Sequence, residues 1–136
     1  MTAAIFAQEG NRFAVTINGH AGYGAGGPDI VCAACSVLAC TLLQCLLEIE
    51  AGGGFQAFRQ ESRSGGVRIS FTAQPFAQAR AEAVAETIAA GFALLAESYP
   101  NHVKLAVRSG EKGCGGLIYT ENTGEEAPEA RRKDGA

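Results

Sequence analysis

Three side chains capable of covalent chemistry lie close together near the start of the chain: His20, Asp29 and Cys32. A cysteine is a strong nucleophile as its thiolate, and a neighbouring imidazole can accept the thiol proton and later protonate a leaving group. A carboxylate can orient that imidazole, as in a catalytic triad. These residue types therefore predict thiol chemistry, with Cys32 as nucleophile, His20 as general base and Asp29 in support.

Each of the three residues also has an ordinary structural interpretation. An aspartate just before an apolar helical run is usually an N-cap, and a histidine beside a loop is often a surface residue. Cysteine is among the most buried residue types, so we expect Cys40 and Cys45 to pack in the core. If Cys32 is buried as well, the chain would be a non-catalytic or dimeric interaction module.

The glycine-rich residues 21–28 leave two further alternatives open. Gly22, Gly24 and Gly27 satisfy the Gly-x-Gly-x-x-Gly spacing of dinucleotide-binding folds, but Asp29 would set a negative charge where a pyrophosphate binds. Cys32 and Cys35 form a Cys-x-x-Cys pair, which suits a redox pair or half of a zinc site, yet a second ligand pair at a workable spacing is missing. We therefore expect no cofactor and no metal.

The elements that must position these residues follow a simple order. Strands are expected at residues 3–8, 12–18, 55–61, 67–73 and 103–108, with one helix from the Asp29 cap to about Glu50 and another from Pro75 to before Pro100. The order ββαββαβ predicts an α+β two-layer sandwich, a mostly antiparallel sheet with two helices on one face. The expected inward stripe of the second helix is Phe76, Val84, Ile88, Gly91 and Leu95.

Composition sets the broad class of the protein. The 136 residues, 47% hydrophobic, fit one domain at 1–110, followed by a polar segment, 111–136, that we expect to be a flexible tail. The lysines and arginines look scattered and the net charge is only −3, so no direct nucleic-acid partner is expected. No secretory signal is evident at the N-terminus, which favours the cytoplasm. Residues 30–47 lack charge, but their polar residues favour a buried helix over a membrane span.

The motif around the three reactive residues resembles a known family. Gly19-His20-Ala21, the glycine-rich stretch, and Gly27-x-Asp29-Ile30-Val31-Cys32-Ala33-Ala34-x-Ser36 are similar to the ribosomal-processing cysteine protease family, Prp. The resemblance implies that Cys32 is the nucleophile, that His20 is its general base and that Asp29 supports them. Between them we expect a mobile loop that orders over a peptide substrate, formed by Ala21, Gly22, Tyr23, Gly24, Gly26 and Gly27.

The same resemblance implies a substrate and an assembly. Members of the family remove a short N-terminal extension from large ribosomal subunit protein twenty-seven, a step in ribosome maturation, so the expected partner is the N-terminal peptide of that protein. The family is known as homodimers, which fits a first helix that is apolar on nearly every side. We also expect that oxidation could trap Cys32 in a disulfide with Cys35.

Overall fold

Two hairpins and two long helices build the protein. The structure, a computed structural model, describes residues 1–20, 22, 24, 29–110 and 120–121. The elements are β1 (Thr2–Glu9), β2 (Arg12–Asn18), α1 (Ile30–Ala51), β3 (Phe55–Arg63), β4 (Gly66–Ala73), α2 (Pro75–Ser98), β5 (Val103–Ser109) and β6 (Thr120–Glu121). The predicted order ββαββαβ is confirmed, and β6 adds a two-residue strand that the sequence did not predict.

The strands form one sheet in the order β3-β4-β2-β1-β5-β6. Every neighbouring pair is antiparallel except β1 and β5, which run parallel. This is the predicted α+β sandwich with a mostly antiparallel sheet. The short β6 belongs to the segment expected to be a tail, and the rest of 111–136 lies outside the described residues.

The core fills the space between the sheet and the two helices. Phe55 and Phe13 stack on Phe71 with ring centroids 3.9 and 4.9 Å away. From α1 the buried residues are Val31, Cys35, Leu42, Leu46 and Ile49. Val31 and Cys35 fix the first two turns of α1 against the sheet, and Cys32 lies at the half-buried edge of that contact.

The buried stripe of α2 differs from the predicted one. Its fully buried residues are Ala77, Ala81, Ile88, Phe92 and Ala96, whereas Phe76 is 74% exposed. Ile88 was predicted correctly, and Val84 and Leu95 are partly buried against the core as expected. Gly91 faces Leu38 of α1, whose Cδ2 would lie 2.7 Å from a Cβ at this glycine. The prediction for Phe76 was wrong because in an alanine-rich helix small residues can carry the close contact, so the bulkiest side chain does not mark the inner face.

The two faces of the sandwich carry opposite charge. On the helix-free face of the sheet lie Arg12, Arg59, Arg68, Lys104 and Arg108. Five glutamates, Glu48, Glu50, Glu82, Glu86 and Glu97, belong to α1 and α2. The expectation that basic residues are scattered was therefore wrong for these five: alternate residues of a strand share a face, and the sheet register brings distant strands side by side.

Candidate active site

The end of β2, the start of α1 and the β3–β4 hairpin surround a cleft of about 280 Å³. His20 and Cys32 both line this cleft, so two of the three predicted residues share one cavity. The other lining residues are Thr2, Ile17, Gly19, Cys35, Ser36, Ala39, Cys40, Arg63, Gly65, Gly66 and Val67. A thiol and an imidazole at one opening are the pair that nucleophilic catalysis requires.

Asp29 is the N-cap of α1. Its Oδ1 accepts a hydrogen bond from the Cys32 backbone N–H at 2.8 Å, and its backbone carbonyl accepts one from Ala33 N–H at 3.0 Å. The backbone at Asp29 is extended, with φ −112° and ψ 98°, as an N-cap requires. Asp29 therefore fixes the helical turn that carries Cys32, while the described part of the cleft wall does not include it.

Two glycines hold the backbone at His20. Gly19 has φ +101°, and its N–H donates to the Gly65 carbonyl at 2.8 Å. A Cβ on Gly19 would collide with the carbonyl oxygen of Met1, and a Cβ on Gly65 would lie 3.0 Å from His20 Nε2. The tip of the β3–β4 hairpin thus lies against the imidazole.

The sequence did not indicate this role of the hairpin. It showed residues 62–66 only as the gap between two predicted strands, because nothing local in it reveals that they meet His20. It also gave no role to Thr2 or Arg63, which lie far from the motif along the chain and reach the cleft through the sheet register.

The two cysteines of the Cys-x-x-Cys pair lie in different environments. Cys35 is only 4% exposed, whereas Cys32 is half-buried. Burial raises the pKa of the Cys35 thiol; the Thr2 side chain acts against this rise, and negative charge on Cys32 and Asp29 adds to it. Cys35 therefore stays protonated near neutral pH, which favours Cys32 as the nucleophile and weakens the redox-pair alternative.

The remaining described cysteines correct one expectation. Cys40 is exposed and Cys45 is half-buried, and all four described cysteines are free. The prediction that both would pack in the core was wrong for Cys40, because a helix that is apolar on every side does not reveal which side faces solvent. Across the described ranges, no three histidine, cysteine, aspartate or glutamate residues group as a metal site.

The predicted substrate-binding loop is largely outside the structure. Ala21, Tyr23, Gly26 and Gly27 lie outside the described residues, while Gly22 is exposed with φ +70°. Gly24 is half-buried. The expectation that this loop contacts a peptide stays a prediction.

The outer face of α1 is apolar and uncovered. By length and composition this helix could cross a membrane, with a mean hydropathy of 2.3 over its most apolar stretch. Its inner residues are nonetheless core residues of the sandwich, as described above. The exposed strip consists of Ala33, Val37, Cys40, Thr41, Gln44 and Leu47. Its apolar members are the surface that a partner would cover.

Comparison with known proteins agrees with the family resemblance of the motif. Residues 1–104 match the family described as cysteine protease Prp. No curated protein matches the chain. The structure is similar to SMU.848 from Streptococcus mutans, with 26% identity and a TM-score of 0.56, covering 82% of this chain and 96% of that one.

Two structures of the essential ribosomal processing protease Prp from Staphylococcus aureus share the fold. The one with a covalently linked product peptide is 19% identical with a TM-score of 0.55, and the one with a substrate peptide is 18% identical with a TM-score of 0.52. In both cases the match covers 82% of this chain and 100% of the other.

Proposed function

The chain belongs to the cysteine protease Prp family, and from this premise we propose that it is a cysteine endopeptidase with Cys32 as nucleophile and His20 as general base. The observation that carries the proposal is the single cleft lined by both side chains. Cys32 is the described cysteine that combines access to this cleft with a place in the first turn of a helix, where backbone N–H groups favour a thiolate.

The proposed reaction is peptide-bond hydrolysis in two stages. His20 takes the Cys32 thiol proton, the sulfur attacks the scissile carbonyl carbon, and the imidazolium then protonates the leaving amine. The resulting thioester is hydrolysed by a water that His20 deprotonates, which releases the carboxylate product and restores the thiol. Atoms and charge balance without any cofactor.

Backbone hydrogen bonds narrow the choice of oxyanion donors. The N–H groups of Cys32 and Ala33 already donate to Asp29. The amides of Ile30 and Val31, the first two residues of α1, are therefore the better candidates at this helix end. The 21–28 loop is the alternative source of donors.

Asp29 supports the site mainly through the helix. One carboxylate oxygen, Oδ1, caps Cys32 N–H, so a contribution to His20 would use the remaining acceptor sites of the same carboxylate. We propose that capping is its larger contribution, because it fixes the position of the Cys32 backbone.

For the substrate, we propose the N-terminal extension of large ribosomal subunit protein twenty-seven, processed in the cytoplasm. Support comes from the family and from the S. aureus relative of the same fold, which is described as a ribosomal processing protease and was solved with substrate and product peptides. The predicted loop, including Tyr23 and the glycines around it, would cover the bound peptide.

We also propose a homodimer that covers the outer strip of α1. This strip carries no charge from Ala33 to Leu47 and exposes 63% of Val37. Burial of such a strip by a second copy removes apolar surface from water.

The decisive test is cleavage of a ribosomal protein peptide bearing the N-terminal extension, followed by mass spectrometry. Cys32→Ala removes the nucleophile, and we expect turnover to fall at least about a thousandfold. The matched control is Cys45→Ala, which deletes another half-buried thiol of α1 outside the cleft and keeps activity. Equal activity in the two variants would rule out Cys32 as nucleophile, whereas no cleavage by the unmodified chain would favour the non-catalytic interaction module.

A further inference from the structure

Beyond peptide cleavage, we propose that the helix-free face of the sheet binds the phosphate backbone of double-helical RNA. We call this surface the basic face and define it by Arg12, Arg59, Arg68, Lys104 and Arg108. The choice of RNA over DNA rests on the proposed ribosomal substrate. The charge argument does not depend on the peptidase site.

The sheet register arranges these charges in rows. One row crosses five strands, from Arg108 through Ala7, Ala14 and Ser70 to Arg59. With strands about 4.8 Å apart, its two arginines begin about 19 Å from each other. Arg12 stands in the next row toward the β1–β2 turn, opposite Thr72, and Arg68 in the next row the other way, opposite Thr16. A charge pattern this wide exceeds a single small anion and suits a polymer of phosphates.

Short side chains form the floor between the arginines. A shallow groove of about 670 Å³ is lined by Ala7, Ala14, Ser70 and Thr72 together with three basic-face arginines, Arg12, Arg59 and Arg108, and one acidic residue, Glu9. Small residues leave room for a backbone to approach the sheet, while the longer arginines reach it from both sides. Ser70 and Thr72 add hydroxyl donors for phosphate oxygens.

Within the described part of the chain, Glu9 stands opposite Arg12 and Glu61 opposite Arg68, and no acidic residue stands directly opposite Arg59, Lys104 or Arg108. The ion pairs there are Arg63 with Glu61 and Arg80 with Glu48, each at 3.8 Å. None of the five basic-face side chains takes part in either. Four of the five are arginines, whose planar guanidinium can donate two hydrogen bonds to one phosphate.

Among the described residues of the strands, no aromatic ring lies on this face, and this favours one class of nucleic acid over another. The phenylalanines of the described strands, Phe6, Phe13, Phe55, Phe58 and Phe71, belong to the core on the helix side. Single-stranded nucleic acid is usually held by stacking its bases on aromatic rings, which this face does not offer. Duplex RNA is recognised through its backbone and shape, which needs only charge and hydroxyl contacts.

A second copy of the chain is a poor occupant of the same face. A symmetric contact would place the five basic side chains of both copies against each other, and the register puts three acidic residues, Glu9, Glu61 and Glu121, on the same rows. The outer strip of α1 has no such repulsion. The two surfaces therefore suit different partners.

Fluorescence anisotropy with the full-length protein and a fluorescein-labelled 16-base-pair RNA hairpin tests the inference. We expect micromolar binding that weakens steeply with salt, with a log–log slope of about −3 to −4 if most of the five charges contact phosphate. In the double variant Arg59→Gln with Arg108→Gln, we expect affinity to fall about tenfold or more and the slope to lose about two units.

Two controls remove positive charge elsewhere. Arg131→Gln with Arg132→Gln, outside the described residues, removes the same two charges, and Arg80→Gln on α2 removes one; each should bind within about twofold of the unmodified chain. Should thermal unfolding show that the first double variant is misfolded, Arg12→Gln with Arg68→Gln replaces it, because both side chains are exposed.

Three results would overturn the inference: unchanged binding by the basic-face variants, an equal loss in the 131/132 variant, or tighter binding of a DNA duplex of the same sequence. Displacement of the RNA by polyglutamate at equal charge concentration would also overturn it, in favour of an acidic protein partner. Peptide cleavage by each variant is measured in parallel. Loss of RNA binding with cleavage intact separates this surface from the proposed function. The Cys32→Ala variant should show the opposite result, loss of cleavage with RNA binding intact.

Discussion

On its Gly65 side the imidazole of His20 lies against backbone, with no intervening side chain. The Gly65 φ of +84° and the 3.0 Å approach of a hypothetical Cβ to Nε2 both require glycine there. Because proton transfer from Cys32 depends on where this nitrogen lies, a residue outside the motif controls the proposed acid–base step.

We expect Gly65→Ala to lower kcat/KM about ten- to a hundredfold, because the new methyl group displaces the imidazole. Gly53→Ala is the control, since Gly53 has nearly the same φ of +80° and open space around it. Both variants should lose about 1 kcal/mol of stability from backbone strain. Comparable activity in both would show that Gly65 does not position His20. Peptide-cleavage kinetics and thermal unfolding supply the two readouts.

Because the pKa of Cys35 is raised, we expect the folded protein to lose stability at alkaline pH. Below the ordinary thiol pKa of 9.0, folded and unfolded chains both keep the proton, so the contribution of Cys35 is constant. As the pH rises above that value the unfolded chain ionises first, and the free energy of unfolding falls by at most about 1.4 kcal/mol per pH unit.

Denaturant titrations at pH values on both sides of 9.0 measure this slope. Cys35→Ala should flatten it, although the lost methylene-sized volume lowers stability at every pH. Cys45→Ala keeps Cys35 and should keep the wild-type slope. A slope that is identical in all three proteins would contradict the effect of burial on Cys35.

Among the elements, α1 does most to build the site, and its start is the part that the sequence predicted best. Asp29 before an apolar run identified the cap, and Oδ1 does accept from Cys32 N–H. The start of a helix can be predicted in this way because a capping side chain and its immediate neighbours in sequence determine it. The inward face of α2 was not predictable in the same way, because it depends on how closely α1 approaches Gly91 and on which alanines meet the sheet.

Replacing Asp29 separates capping from support of His20. Asp29→Ala should cost about 1 kcal/mol of stability, while Asp29→Asn keeps the cap and loses only a few tenths. We expect kcat/KM to fall severalfold in Asp29→Asn and further in Asp29→Ala. Full activity in the asparagine variant would limit Asp29 to capping. Urea unfolding and peptide cleavage give the two measurements.

At the scale of the whole molecule, sequence patterns gave the element order but not the distribution of charge. Arg12, Arg59 and Arg108 are far apart along the chain, and only the order β3-β4-β2-β1-β5 brings them to one face. The residues that line the cleft are likewise brought together by the pairing of strands. Thr2 and Gly65 reach it through strand pairing, which a local motif around Cys32 cannot reveal.

If the chain forms the proposed dimer, its mass in solution should be twice that of one copy. Light scattering of the native chain should give twice the 14.0 kDa of one copy, and Val37→Lys should give a single copy because it places a charge in the apolar strip. Phe76→Lys is the control, since Phe76 is an equally prominent apolar residue, 74% exposed, on α2. A native chain that is monomeric at all concentrations would contradict the assembly.

The parallel pairing of β1 with β5 joins the first strand of the chain to the last long one. Thr2 N–H donates to the carbonyl of His102 at 2.9 Å, and the Met1 carbonyl lies against Gly19, next to His20. Thr2, which lines the cleft, is therefore held by a contact between residues about a hundred positions apart along the chain. No residue of β5 lines the cleft, yet the strand supports Thr2, which does. Damage to β5 would therefore disturb the cleft from outside it.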